Sequence, residues 1–574
     1  MPSLIIDLPV LIAFLGIAAL MLAGWGAIAG RLLRIPLAHT SLAMLMWLGF
    51  ATVLLLTQAL HLVISIDWRA TLVLSAMGIA AAPRARFALA IRTLLSYAKD
   101  NPLIATLLLG WLVLCCMRAM GVPNNFDSGL YHFQSIRWIN EEALPIGLGN
   151  LHWRLALNQS YFGFLALLNV APYWGHGYAA GGLFLVLLSY ASVWEFLRNQ
   201  RLAVSLLLGI VLVTTVTYYA GTLANPSPDT AVALIQIPIV LWLLRLLAMD
   251  RATGDSAAQS LATALIVLSV AVVSLKLSSV AFAGVSALIA VFGSLRLTKL
   301  DVSMFTRLCL YVVLAVGVYT CAGYLLSGYP FFPATLLGNT TLPWALPAGQ
   351  LEYETKLIYS WARAPGVLDP DTVLNNWNWL SAWFNRLPLV VWLPLVMGIV
   401  LSFANCLYLR GRSGRQRVVL LSYLPLVTAL AFWFVTAPDP RFLGAIPGLF
   451  LALSFFIFLR VMCSDRALNR IEGVYSSRGL QLSVVTLFVL CNLKLVGLGA
   501  LSTTGWATIP QPSLQENRSA QGVLIYTGAV DSQCWNANLP CAAGFNPKLH
   551  ITETEVIPNV VVKGLSRKVF SIRE

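Results

Sequence analysis

The sequence predicts an all-α polytopic membrane protein of about fourteen transmembrane helices, with a small β-rich cap at its C-terminus on the outer side of the membrane. Three observations predict it. Of 574 residues, 59% are apolar and only 10% charged, where a soluble domain carries about a quarter charged; the mean hydropathy is +0.79. Apolar runs long enough to cross about 30 Å of hydrocarbon recur along the chain. The 37 basic residues, set against 23 acidic ones, concentrate on one side of the resulting scheme. This composition excludes a disordered chain, a coiled coil, a disulfide-rich secreted scaffold and a nucleic-acid binder.

The expected spans lie at 8–30, 41–65, 70–83, 102–119, 177–197, 202–219, 229–248, 260–275, 278–294, 306–327, 387–408, 418–436, 443–459 and 480–499. The run 70–83 is short enough to be re-entrant. The stretch 158–175 is apolar but broken, which suits an interfacial segment. Clusters such as Arg31/Arg34, Arg84/Arg86/Arg92, Arg198/Arg201, Arg296/Lys299, Arg410/Arg412/Arg415/Arg417 and Arg460/Arg466/Arg470/Arg478 fall on one side. With Lys99, Arg245, Arg251 and Arg307 they make 21 of the 37 basic residues, against seven acids, so that side carries the entire net charge of +14. The excess is therefore an orientation signal rather than a polyanion site. Both termini and the segments 120–176, 328–386 and 500–574 then face outward. The first span lacks a basic n-region and a small-residue cleavage site, so no cleavable signal is expected.

The chain divides into a transmembrane unit, 1–499, with outward loops 120–176 and 328–386, and a small outer domain, 500–574. In the latter, 523–526 and 556–562 read as strands between Gly, Pro and Asn turns. No repeat of 20–50 residues and no GxxxxGK[ST] sequence occurs, and the inner loops are short, so any chemistry belongs to the outer face. Seven cysteines lie in or beside spans and read as small core residues. Cys534 and Cys541 stand in the outward tail, where two thiols this close in an oxidising compartment are expected to pair. No Cys/His spacing suits structural zinc.

Candidate functional residues cluster in the outward loops. Asn124-Asn125 breaks the chain after the span at 102–119. Asp127 then sits within a turn of the membrane boundary, as a helix cap or as a reactive carboxylate. Tyr131 and Gln134 are expected on its face. His132, Trp138, His152, Trp153, Arg154 and Asn158 continue a loop dense in groups that hydrogen-bond sugars or phosphates, and its tryptophans suit stacking on apolar sugar faces. Asp229, in Asn225-Pro-Ser-Pro-Asp229, joins two spans and reads as a cap or a site residue. Lys276 lies between two spans with almost no loop, where it serves function or snorkels. Pro438-Asp439-Pro440-Arg441-Phe442 is a rigid outer turn whose arginine fork suits a phosphate. Together these loops place Asp127 as a base and Lys276 and Arg441 as phosphate-neutralising cations.

That layout, carried by Asn125-Phe126-Asp127-Ser128-Gly129-Leu130-Tyr131-His132 at the start of the first large outward loop, resembles the GT-C superfamily of membrane glycosyltransferases over about residues 100–499. More narrowly, the Asp127–Asn158 loop, Ser274–Ser279, Pro438–Phe442 and the Cys534–Cys541 tail look like an uncharacterised bacterial multi-pass family of this type. The resemblance implies a bacterial inner-membrane enzyme with its active site facing the periplasm. Such an enzyme takes a sugar from a polyprenyl-phosphate carrier to a hydroxyl of a periplasmic glycan, lipid or protein acceptor. Asp127 would be the essential carboxylate; Tyr131, His132, Trp138, His152, Arg154, Asn158, Asp229, Lys276, Asp439 and Arg441 would bind substrate. About three spans precede the Asp-bearing loop, where the superfamily has one. No second acid adjoins Asp127, which leaves a divalent metal open. Other classes compatible with the residues are a glycan polymerase or ligase, a transporter of lipid-linked sugars, and a non-catalytic assembly protein. A transporter should carry paired polar groups at mid-membrane, whereas the polar groups here cluster at the outer boundary.

Overall fold

The computed structural model describes all residues except 1, 201, 251–254, 300, 412–416, 463–485, 487–496, 520, 556–565 and 573–574. It is a polytopic, predominantly helical chain with small C-terminal sheets. Ten helices among the described residues are long and apolar enough to cross a membrane: 3–32, 42–61, 102–119, 177–197, 228–248, 256–275, 277–297, 302–327, 389–409 and 418–436. Fourteen were expected, and the difference has identifiable sources. The span expected at 70–83 is the helix Trp68–Ala81, which bends by 78° into Arg84–Asp100. Pro83 forces that break, because the residue before a proline is driven out of the α region, and Ala82 accordingly has ψ 138°. The runs at 202–219 and 443–459 are helices whose described apolar parts, Leu208–Ala220 and Ile446–Arg460, are shorter. The expected span 480–499 lies almost wholly outside the described residues.

We number the helices that position the site as α1 (Pro2–Leu32), α2 (Leu42–His61), α3 (Pro102–Ala119), α4 (Phe133–Glu141), α5 (Tyr161–Leu168), α6 (Gly177–Leu197), α7 (Pro228–Ala248), α8 (Asp255–Leu275), α9 (Val280–Leu297), α10 (Val302–Ser327) and α11 (Ala348–Arg363). α1 and α2 meet backbone to backbone, since a Cβ on Gly26 would lie 1.8 Å from the Leu45 carbonyl oxygen. Such close approach is how helices associate in lipid, where no hydrophobic driving force separates one apolar face from another. α7 is buried along nearly its whole length and forms the centre of the bundle, which carries Asp229 to the middle of the outer end. The segment expected to be interfacial, 158–175, instead contains α5, all of whose residues are buried inside the protein.

The two ends of the bundle are chemically distinct. At one, arginines close helix ends: Arg86 donates to the Thr40 carbonyl (2.7 Å), Arg307 to that of Leu32 (3.0 Å) and Arg296 to those of Leu247 and Met249. These satisfy C-terminal carbonyls that lack intrahelical partners. At the other end lie Asp7, the 120–176 loop and the tail, joined by the Asp7 carboxylate accepting from Trp506 N and by the Trp174–Trp506 ring contact at 5.9 Å.

In the tail, β1 (Leu514–Arg518) pairs antiparallel with β2 (Leu524–Gly528), which pairs parallel with β3 (Cys541–Ala542); β4 (Leu549–Glu555) and β5 (Ser566–Ile572) form a separate antiparallel pair. The strand expected at 523–526 corresponds to β2, and that at 556–562 lies outside the described residues. Phe570 of β5 is fully buried, its amide donating to the Ile146 carbonyl, so the tail is pinned to the first large loop. A reporter fused after Glu574 should be active outside the cytoplasm and one fused after Arg410 inside it; the reverse activities would invert the orientation.

Candidate functional site

Neutral hydrogen bonds set the loops before any charge is placed. Asn225 Oδ1 accepts from the backbone of both Asn124 and Asn125 (2.8 and 3.0 Å), and its amide donates to Asn124 Oδ1 (2.9 Å). This clamp ties the chain after α3 to the turn before α7. Asn125 Oδ1 accepts from Asp127 N at 2.9 Å. The capping role read as the alternative for Asp127 therefore belongs to Asn125, and the Asp127 carboxylate is free for other partners. Ser160 ties the Arg154 turn to the end of α8 through Ser274, hydroxyl to hydroxyl at 2.8 Å and Ser160 N to the Ser274 carbonyl at 2.9 Å. Gln236 of α7 accepts from Ala445 N, fixing the Arg441 turn.

On this frame five segments converge. Asp127 Oδ1 accepts from Arg154 at 2.8 Å and Oδ2 from Arg441 at 3.2 Å. Asp439 accepts from the Arg441 backbone (2.9 Å) and Nε (3.3 Å), so it caps its turn and aims the guanidinium. Lys276 is ion-paired with Asp229 and stands 3.7 Å above the Phe442 ring, a cation–π contact. Asp229 lies in the first turn of α7 without capping it. Three carboxylates thus face three cations. Charge-assisted hydrogen bonds of this kind contribute about 1.5–3 kcal/mol each.

Burial pushes the Asp127 carboxyl up, but Arg154, His132 and Arg441 more than offset it and hold it below the ordinary range. Burial opposes the Arg441 charge, and Asp439, Asp229 and Asp127 overcome that. His132 is buried, 3.4 Å from Ser128 Oγ, and burial lowers it to about 4, so it is neutral at physiological pH. Tyr131 is buried beneath Arg154, whose guanidinium lies 5.7 Å from its ring and 4.9 Å from that of Trp153. His152 is also buried and is lowered to about 3 by burial and by Arg154.

Three expectations need correction. Trp138 does not stack on a ligand: it is 1% exposed and meets Phe570 edge-on at 5.7 Å, because it lies on the inner face of α4. Asn158 is a structural tie, donating to the Tyr319 carbonyl (2.8 Å) and accepting from Gln58 (3.3 Å). Gln134 does not share the Asp127 surface but donates to the Trp535 and Ala537 carbonyls of the tail. Cys534 and Cys541 are bonded, as expected. Their loop sits on the site helix, with the amides of Cys534 and Trp535 donating to the Gly129 carbonyl.

Among the described residues no group of three or more His, Cys, Asp or Glu side chains is placed to hold a metal ion. Asp127, Asp229 and Asp439 each face a cation rather than one another, so they do not form a ligand set. An apolar groove of about 200 Å³ runs between α2, α8, α9 and α10, with Ser274, Val280 and Phe331 among its lining residues and Tyr311 deeper in the membrane. Two site residues have no signal in the sequence. Phe442 was read only as part of a turn. Glu354 of α11 lies in a long loop, yet it is buried and its Oε2 has no hydrogen-bond partner.

The model of a family described as a domain of unknown function, DUF8201, matches residues 8–446. No curated protein and no solved structure matches the chain.

A Cβ on Gly129 would fall 2.6 Å from the Trp535 ring, so glycine there lets the disulfide loop close on the site. Gly129→Ala should cost about 1–3 kcal/mol of overpacking and lower the thermal midpoint. Combined with Trp535→Ala it should cost less than the sum of the two single changes; full additivity would place the two residues out of contact.

Proposed function

The chain belongs to the DUF8201 family, and from its site we propose a glycosyltransferase of GT-C type in a bacterial inner membrane. It moves a sugar from a polyprenyl-phosphate carrier to a hydroxyl of a periplasmic glycan, lipid or protein. One observation carries this reading: the segment that brings Lys276 to the ion cluster also borders an apolar groove. Ser274 and Val280 line the groove and bracket Lys276 in sequence. From Tyr319 to Tyr311 the groove descends eight residues of α10, about 12 Å at the helical rise, which suits a polyprenyl chain whose phosphate lies among Lys276 and Arg441.

The geometry suggests how the carboxylate becomes reactive. Without donor, both oxygens of Asp127 are engaged by arginines, which makes it a weak base. The donor phosphate is a stronger partner for the Arg441 fork. As Arg441 turns to the phosphate, Asp127 Oδ2 is uncovered and its proton affinity rises. The acceptor hydroxyl then gives its proton to Asp127 while its oxygen bonds to the anomeric carbon. The bond from that carbon to the phosphate oxygen breaks, and its electron pair leaves with the phosphate, neutralised by Arg441 and Lys276. No step is routed through a metal. A transporter is disfavoured by depth: Asp229 opens α7 and Lys276 directly follows α8, at the helix ends rather than at mid-membrane.

Asp127→Asn keeps the size of the side chain and removes the proton acceptor. It should reach the membrane at the normal level and lose about 10²–10⁴-fold in transfer rate, measured as labelled sugar passed to the endogenous acceptor in membranes. Asp67→Asn is the control, because Asp67 is an outward carboxylate that caps a helix, accepting from Arg69 N at 2.9 Å, and among the described residues pairs only with the exposed Arg69 side chain at 3.8 Å. Retained activity in Asp127→Asn would remove the carboxylate from the mechanism.

A further inference from the structure

Glu354 is unexplained by the ion cluster. It is 9% exposed, and its Oε2 is buried without a hydrogen-bond partner. An unpaired buried carboxyl is costly and calls for a reason. Its helix is tied to the segment beside the Arg154 turn: Thr355 donates to the Pro333 carbonyl at 3.2 Å, and the adjoining Phe332 meets Trp153 with ring centres 6.5 Å apart. Arg154 is the charged group of another element that acts on it. On its own helix, Glu352 and Lys356 lie two residues away, hence on the opposite face, where they pair with each other at 3.2 Å and line a separate cleft. Arg154 therefore stands between two carboxyls, Asp127 in direct contact and Glu354 beyond. The donor cations, Lys276 and Arg441, lie on the Asp127 side.

We propose that Glu354 is the acceptor subsite, its free carboxyl oxygen hydrogen-bonding a hydroxyl of a polyhydroxylated, saccharide-bearing acceptor that enters between α11 and the Trp153-Arg154 turn. The proposal rests on the transferase reading and narrows its acceptor to a carbohydrate. An unpaired carboxyl oxygen fits a sugar hydroxyl, which donates one hydrogen bond, and the half-buried Trp153 ring beside Arg154 offers a stacking face. Burial pushes the Glu354 carboxyl up to about 7 against the opposing pull of Arg154. His132 and His152 are held neutral by burial and do not titrate in that range. Acceptor binding should therefore strengthen as the pH rises through about 7, where Glu354 becomes the better hydrogen-bond acceptor.

The test uses the full chain in lipid nanodiscs. Dicyclohexylcarbodiimide adds to a protonated carboxyl: the proton passes to one nitrogen, the carboxyl oxygen bonds the central carbon, and acyl transfer to nitrogen leaves a stable N-acylurea with nothing expelled. Glu354 should be labelled below about pH 7 and progressively less above it, and Asp127 should stay unlabelled. Millimolar lactose or maltose, used as saccharide probes, should suppress Glu354 labelling; labelling indifferent to both overturns the subsite. In the transfer assay, Glu354→Gln should raise the acceptor KM about tenfold, the loss expected for one charge-assisted hydrogen bond, with kcat little changed and the pH dependence of KM gone. The same variant should fold: its amide avoids burying a charge, so it should melt like the wild type well below pH 4.5 and increasingly higher than it as the pH rises from about 4.5 to about 7. Wild-type transfer with an unchanged KM in Glu354→Gln overturns this inference alone. Absence of transfer by the wild type overturns the transferase reading with it.

Discussion

The site depends on one arrangement, a single carboxylate shared by two arginines. Asp127 touches Arg154 and Arg441, residues of two other segments, and through Arg441 it is linked to Asp439. The Asp127–Arg154 contact is partly buried and so stronger than a surface pair, whereas the Arg441 contacts are exposed and weaker. Three carboxylates against three cations give a cluster without net charge. Such a cluster can sit at the edge of the hydrocarbon at low desolvation cost. On the proposed function, the same ion pairs exchange partners when a phosphate arrives.

Charges that must change partners cannot also be what holds the loops in place. The protein separates these duties. The loops are fixed by groups with no net charge: the Asn124–Asn225 amide clamp, the Ser160–Ser274 pair and Gln236 on Ala445. The tail adds a lid from above, where the disulfide loop donates two amides to Gly129 and lies too close for any side chain there. Burial of α7 on almost all sides gives the assembly a rigid centre.

The converging residues were legible in the sequence for a physical reason: a polar residue at a span boundary is conspicuous against an apolar background. Asp127, Asp229, Lys276, Asp439 and Arg441 were found that way, and they do converge. What failed was anything that depends on which way a side chain points across an irregular loop. Trp138 and Trp153 look alike in sequence, yet one lies on the buried face of α4 and the other beside Arg154. Asn158 carries sugar-binding chemistry, but both ends of its amide are spent on neighbouring helices. Glu354 sits among other acids of a long loop, and only the packing of α11 distinguishes it from exposed Glu352. The bend that Pro83 puts into the run at 70–83 left no trace in hydropathy, which does not register direction.

The central claim is that Asp127 competes with the donor phosphate for Arg441. Binding of undecaprenyl phosphate to the protein in nanodiscs tests it directly, by comparing the wild type with Asp127→Asn and Arg441→Gln. If the carboxylate and the phosphate compete, Asp127→Asn binds the lipid several-fold more tightly than the wild type, although it transfers no sugar, and Arg441→Gln binds it more weakly. Equal or weaker binding by Asp127→Asn would contradict the account, because Arg441 would then not be withheld from the phosphate by Asp127.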